Sequence, residues 1–176
     1  MSRISQAAMV AAIRGAQALD LQGSREALAD EVFYAQPNLL ASVLVLPRLG
    51  VALSKADFAL DMLFACFLAM KASNSTWPLI TEDDQDRQLQ RFVAVSRFGD
   101  NLGASLRERS MQQYIADHPE KALLAYVTGE TSKWLARIVP EDSDKHVMLA
   151  IWNLVNCIAL VALKEPKRKA RRKQHT

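Results

Sequence analysis

Two carboxylates four residues apart, Asp57 and Asp61, form the pair whose spacing best suits chemistry in this sequence. Residues four apart share one face of a helix, so the pair could hold a divalent cation or share a proton. A di-metal bundle also supplies Glu-x-x-His motifs from paired helices, and the sequence has none. We therefore favour a structural interpretation, in which Asp57 lies at a helix start and Asp61 pairs with an Arg or Lys of a neighbouring helix.

Motifs of the common enzyme classes are missing from the sequence. There is no phosphate-binding P-loop, no dinucleotide glycine fingerprint, no nucleophile elbow and no zinc-protease helix. The acidic run EDDQD over 82–86 lacks the glycine turn and the terminal Glu of a calcium loop. The histidines His118, His146 and His175 offer few candidates for acid–base catalysis. We predict a non-enzymatic protein with no cofactor and no metal.

The strongest concentration of charge is the C-terminal segment KEPKRKARRKQHT, residues 164–176. It holds seven of the 22 basic residues and one of the 19 acidic residues, so 15 basic and 18 acidic residues remain in the rest of the chain. The high isoelectric point of about 9.0 therefore belongs to a terminal peptide and not to a basic folded face. After Pro166 the segment has Ala170 as its one apolar residue, so we predict a disordered basic tail over residues 166–176.

This tail predicts affinity for DNA or RNA without sequence preference, through release of counterions from the phosphates. The tail has no aromatic side chain to stack on bases, which argues against specific single-strand recognition. Anionic lipid would attract the same charges, and basic termini also occur without a partner, so both alternatives stay open. The predicted nucleic-acid contacts are Lys167, Arg168, Lys169, Arg171, Arg172 and Lys173.

The loop STWPLI carries a second candidate surface, formed by Trp77 and Pro78. An exposed loop tryptophan indicates a contact surface for a protein partner. The equally weighted alternative is that Trp77 fills the end of a helical bundle. In the first case the chain is a protein–protein interaction or assembly module, homo-oligomers included, and the tail is incidental.

The segment 146–163 tests a membrane hypothesis, because its 18 uncharged residues precede a basic cluster as in a tail anchor. Asn153 and Asn156 lie three apart on one helical face, and an amide in hydrocarbon is costly. We therefore predict a helix packed against other helices and rank membrane attachment as the least favoured function. Cys66 and Cys157 lie in apolar stretches without metal-ligand spacing, which predicts buried reduced thiols and a cytoplasmic location.

Helical periodicity recurs along the chain, and no segment alternates as an exposed strand would. We predict an all-α protein with a single compact multi-helix bundle of about seven to nine helices over residues 1–165. The first helix is predicted over Ser2–Leu19. The second starts at an N-cap on Ser24 and carries Leu28, Val32 and Phe33 before Pro37 ends it. The run NLLASVLVLPRLG after Pro37 predicts a short buried helix, with a strand as its alternative.

The run FALDMLFACFLAM is apolar on every side except at Asp61, so the helix that carries it, about Lys55–Lys71, is predicted to be the axis of the bundle. Ser54 followed by Asp57 resembles a capping box at its start. Thr81 and the acids after it predict a second cap, for a helix over Glu82–Phe98 whose inner face carries Leu89, Phe92, Val93 and Ser96. The last helix is predicted over Ser143–Glu165, ended by Pro166.

Overall fold

The computed structural model describes residues 2–20, 23–100 and 104–161, and within these ranges the chain is helical with no strand. Two short 3₁₀ turns, Ala18–Asp20 and Leu46–Leu49, accompany eight α-helices. The predicted all-α bundle of seven to nine helices is confirmed, and the tail lies outside the described residues. The α-helices are α1 (Gln6–Gln17), α2 (Ser24–Ala35), α3 (Pro37–Leu44), α4 (Leu53–Ala72), α5 (Glu82–Asp100), α6 (Ala104–Asp117), α7 (Lys121–Leu135) and α8 (Asp144–Leu160).

Helix α4 is the axis of the bundle, as its sequence predicts. It packs against α1, α2, α3, α7 and α8. The six consecutive residues 62–67 are all buried, and because each residue turns the helix by about 100°, they face every side of it. Helix α1 approaches closely at Gly15, where a Cβ atom would lie 3.3 Å from Leu68 Cδ1.

Helix α1 begins at Gln6, later than the predicted Ser2. Ser5 is its N-cap, and the Ser5 Oγ accepts a hydrogen bond of 3.1 Å from the Ala8 amide. The backbone amides of Arg3 and Ile4 instead donate to the Glu120 carboxylate, so these donors are already used by a residue far along the chain.

Two predicted caps have opposite outcomes. The capping box at Ser54 is wrong, because α4 begins at Leu53 with Ala52 as N-cap, which leaves Ser54 and Asp57 inside the helix. The cap at Thr81 is confirmed: the Asp84 amide donates to Thr81 Oγ1 over 3.1 Å, and the Thr81 amide donates to Asp84 Oδ2 over 3.1 Å. The Thr81 hydroxyl also donates to Asp84 Oδ2 over 2.8 Å, and this bond together with the one from the Thr81 amide holds the pKa of Asp84 below its ordinary value.

Helix α2 starts at Ser24 itself, after Gly23 in the left-handed region with φ 89°, so Ser24 is not the N-cap. Leu28 and Val32 are buried. Phe33 is 57 % exposed, because it lies on the side of α2 turned away from the core. Pro37 ends α2 and occupies the first turn of α3, where proline needs no amide donor.

Helix α8 packs against α4, and none of the helices in the described ranges is long and apolar enough to cross a bilayer. Asn156 is buried and accepts a hydrogen bond of 2.5 Å from the Tyr114 hydroxyl. The helix ends at Leu160, short of the predicted Glu165. The Arg3 guanidinium donates to the carbonyls of Val161 (2.6 Å), Ile158 (2.9 Å) and Ala159, which are the groups that a helix end leaves without partners.

A buried ion pair that no sequence pattern predicts links the start of α4 to the start of α8. Lys55 Nζ lies 2.6 Å from Asp144 Oδ1 and 3.0 Å from Glu141 Oε2, and it also donates to the Val139 carbonyl over 3.0 Å. Lys55 and Asp144 are each 8 % exposed. Three oxygen acceptors around one ammonium satisfy its donors, so the charge can remain buried.

Candidate functional site

The predicted nucleic-acid contacts, Lys167 to Lys173, lie outside the described residues. The predicted interaction loop lies inside them. Trp77 is half-buried, and its indole Nε1 donates to the Met70 carbonyl (2.9 Å) and to Ser73 Oγ (3.0 Å). The guanidinium carbon of Arg3 lies 5.1 Å from the centroid of the Trp77 ring.

Pro78 is half-buried as well, and its carbonyl accepts a hydrogen bond of 2.8 Å from Gln36 Nε2. Gln36 is itself buried and returns a bond, since its Oε1 accepts from the Ile80 amide over 2.9 Å. The loop is thus fastened to the junction between α2 and α3. Trp77 sits where the filling alternative places it, and a role of Trp77 and Pro78 in partner contact stays a prediction.

The carboxylate pair on α4 is bound by one guanidinium. Arg25 Nη2 lies 2.5 Å from Asp57 Oδ1, and Arg25 Nη1 lies 2.5 Å from Asp61 Oδ1. The predicted partner for Asp61 from a neighbouring helix is confirmed. The helix-start role of Asp57 is wrong, because Asp57 stands a full turn inside α4. Among the described residues no group of three or more His, Cys, Asp or Glu side chains could hold a metal ion.

An apolar groove runs between the C-terminal end of α3 and the first turns of α4, next to this pair. Its volume is about 420 Å³. Its edges are unusually exposed for leucine, with Leu44 at 59 % and Leu53 at 76 %. Its lining residues are Val43, Leu44, Pro47, Leu53, Ser54, Ala56, Asp57 and Leu60. We call this surface the α3–α4 groove.

The inner face of α5 differs from its prediction. Gln85 and Gln88 are buried, whereas Leu89, Phe92 and Val93 are only half-buried. The Phe92 ring stacks on Trp152 of α8, with centroids 5.7 Å apart. A hydrophobic pattern alone points the apolar stripe inward, so it could not reveal that two glutamines face α8. For Ser96 the side chain lies outside the described part.

His118 is buried, and its Nδ1 accepts a hydrogen bond of 3.2 Å from the Glu120 amide, which is a cap-like contact at the start of α7. Burial lowers the pKa of His118. The ring is therefore neutral near pH 7 and holds the turn before α7 together with Glu120.

Both thiols are buried, as predicted. Burial raises the pKa of Cys66 and of Cys157 to about 12 in each case. The thiolate is the reactive form of cysteine, so these two side chains act as packing groups and not as nucleophiles.

Comparison with protein-family models, with curated proteins and with solved structures gives no match for this chain.

Proposed function

We propose that this protein is a non-enzymatic helical binding module of the cytoplasm that takes up the apolar face of an amphipathic partner helix in the α3–α4 groove. The observation that carries the proposal is the exposure of Leu44 and Leu53 at the two edges of one apolar depression. Exposed apolar side chains that border a concavity are typical of partner sites, because a partner removes their surface from water.

The shape and charge of the α3–α4 groove support a helix as the occupant. Grooves between two helices bind the i, i+3, i+4 and i+7 side chains of an amphipathic helix. Asp57 lies at the edge with its side chain 60 % exposed, and its ion pair with Arg25 uses Oδ1. Its other oxygen suits a basic residue beside the apolar face of the partner. We therefore propose a partner helix that carries a Lys or Arg at that edge.

Fluorescence anisotropy with labelled amphipathic peptides of about 16 residues, long enough to form a helix, tests the proposal. One set carries Lys beside the leucine face and a matched set carries Glu there. We expect the Lys set to bind more tightly. The variant Leu53→Glu should weaken binding at least tenfold without changing stability, because Leu53 is mostly exposed.

Tyr34→Glu is the matched control, since Tyr34 is 83 % exposed on α2 and lies outside the groove lining. It should bind the peptides as the unchanged protein does. The proposal is lost if no peptide binds at about 1 mM, or if Leu53→Glu and Tyr34→Glu bind equally well.

The charge count favours a second function, which we propose alongside the first: non-specific affinity for DNA or RNA through Lys167 to Lys173. The 13 residues 164–176 hold seven basic residues, whereas the rest of the chain has more acidic than basic residues. This separation supports an electrostatic tether. About four to six phosphate contacts predict a log–log salt slope of roughly −4 to −5 on duplex DNA.

Comparison of the full chain with a truncation after Lys164, on random DNA and RNA over a salt series, tests this tether. We expect the truncation to abolish binding and to leave peptide binding in the groove intact. Equal nucleic-acid binding by both chains would rule the tether out, and so would its absence at low salt.

A further inference from the structure

A second cavity is lined by residues of α1, α2, α4 and α7, with Asp61 in its wall, and we call it the charged pocket. Its volume is about 350 Å³, within the range of roughly 300–1,000 Å³ typical of small-molecule sites. Its aromatic wall consists of Phe58, Phe64 and Tyr126. Phe64 is fully buried, and Phe58 stacks on Trp134 with ring centroids 4.7 Å apart, so this wall is fixed by the core.

Four charged side chains complete the charged pocket, namely Arg25, Asp61, Glu130 and Arg137, and their formal charges cancel. Arg25 is engaged by the α4 carboxylates, and its guanidinium carbon lies 5.4 Å from the centroid of the Phe64 ring. Glu130 Oε1 lies 2.8 Å from Lys133 Nζ. A pocket that carries both signs of charge beside an aromatic wall has the features that a zwitterion with an apolar body would need.

Arg137 has hydrogen-bond donors that are available to a ligand. Its Nε donates to the Lys133 carbonyl over 3.0 Å, which fixes the guanidinium near the pocket. Its two terminal nitrogens make no hydrogen bond or ion pair with any other residue in the described ranges. A guanidinium with free terminal N–H groups is matched in geometry to a carboxylate.

Tyr126 is a second side chain of the pocket that is suited to a polar ligand. Its hydroxyl has no hydrogen-bond partner among the described residues, although the side chain is half-buried. Burial, together with the negative charges of Glu130 and Asp61, raises the pKa of Tyr126 to about 12. The phenol therefore stays protonated at neutral pH and offers a donor and an acceptor to a ligand.

We propose that the charged pocket binds a small zwitterion with an apolar body, of which an α-amino acid with an aromatic or large aliphatic side chain is the simplest. The ligand carboxylate binds Arg137, its ammonium group faces Glu130 and Asp61, and its side chain lies on the aromatic wall. An analogue without the carboxylate leaves the terminal N–H groups of Arg137 without an acceptor, and an analogue without the ammonium group loses its attraction to Glu130 and Asp61. This site is separate from the α3–α4 groove and does not depend on the function proposed for it.

Isothermal titration calorimetry on the full chain, with phenylalanine, tryptophan, tyrosine, leucine and methionine, tests the proposal. We expect at least one of the five to bind, and its decarboxylated amine and its deaminated acid to bind at least tenfold more weakly. Absence of binding by all five at about 10 mM overturns the proposal, and so does equal binding of either singly charged analogue.

Arg137→Gln isolates the carboxylate contact. The variant should lower the affinity for the amino acid at least tenfold. Its affinity for the corresponding amine should not change, because the amine has no carboxylate for Arg137 to bind. Arg48→Gln is the matched control, since Arg48 is an exposed arginine outside the pocket lining. An equal loss of amino-acid affinity in both variants, or no loss in Arg137→Gln, overturns the assignment of Arg137 to the ligand carboxylate. Circular dichroism spectra confirm that both variants are folded.

Discussion

Two arginine–carboxylate clusters in this molecule form the same kind of ion pair, but one is buried and the other is largely exposed. Glu120 is completely buried and meets Arg3, whereas Asp57 and Asp61 have side chains 60 % and 46 % exposed and meet Arg25. The first cluster closes the fold, and the second lies between the α3–α4 groove and the charged pocket. Burial therefore separates a cluster that joins distant segments of the chain from one that borders two surface cavities.

The buried cluster is fully satisfied. Glu120 Oε2 accepts from Ser2 Oγ (2.6 Å) and the Ile4 amide (2.9 Å), and Oε1 accepts from the Arg3 amide (2.9 Å) and Arg3 Nε (3.1 Å). The other nitrogens of Arg3 cap the end of α8. One ion pair thereby joins the N-terminal segment, the start of α7 and the end of α8.

The largest effect is expected from Glu120→Ala. The change leaves Arg3 and two backbone amides without their acceptor, and loss of one partner of a buried ion pair costs about 3–5 kcal/mol. Urea unfolding followed by circular dichroism measures the loss. Asp142→Ala, at an exposed carboxylate, is the control and should change stability little. A loss of unfolding free energy below about 1 kcal/mol in Glu120→Ala would show that the cluster does not hold the connected segments together.

The free energy of unfolding should depend on pH because of the same side chain, Glu120. Burial alone would raise the pKa of Glu120, but the hydrogen bonds from Ser2, Ile4 and Arg3 outweigh it and hold the pKa below its ordinary value of 4.5. The unfolded chain therefore takes up this proton first as the pH falls. The stability from Glu120 is complete above about pH 4.5 and is lost as the pH drops through the lower folded pKa.

Glu120→Gln tests this, because glutamine keeps an oxygen acceptor but does not titrate. We expect the unfolding free energy of the variant to fall less steeply below pH 4.5 than that of the unchanged protein. Parallel profiles would contradict the prediction.

The smallest effect is expected from Arg25→Gln at the exposed cluster. Solvent-screened ion pairs contribute about 0–1 kcal/mol, so the variant should unfold within about 1 kcal/mol of the unchanged protein. Urea unfolding at low and high salt measures it. A loss as large as that of Glu120→Ala would erase the contrast between the two clusters.

Local patterns predicted much of the fold, and they did so where neighbouring residues decide the outcome. The cap at Thr81 is made by Asp84, three residues away, and the central position of α4 follows from apolarity on every side. The capping box at Ser54 has equally good spacing, yet Asp57 binds Arg25 instead. The sequence alone does not show when a distant partner takes a capping side chain.

The candidate sites were less predictable. Asp61 was recognised as an ion-pair residue, but its position in the wall of the charged pocket depends on the packing of α1, α2 and α7 around α4. Arg137 and Tyr126 carry no sequence motif, and they become a candidate site only because α7 lies across Phe58 and Phe64. The exposed leucines of the α3–α4 groove look like core residues in the sequence.

The sequence by itself determined the all-α class, the central apolar helix, the buried thiols and the separation of a basic terminus from a mildly acidic body, because these depend on composition and on periodicity within one helix. Only the tertiary structure decided which carboxylates are buried and which are exposed. Ser2 and Arg3 reach Glu120 across more than a hundred residues of chain. Contacts between distant helices arise from packing, and packing also set the two cavities on either side of the Arg25 cluster.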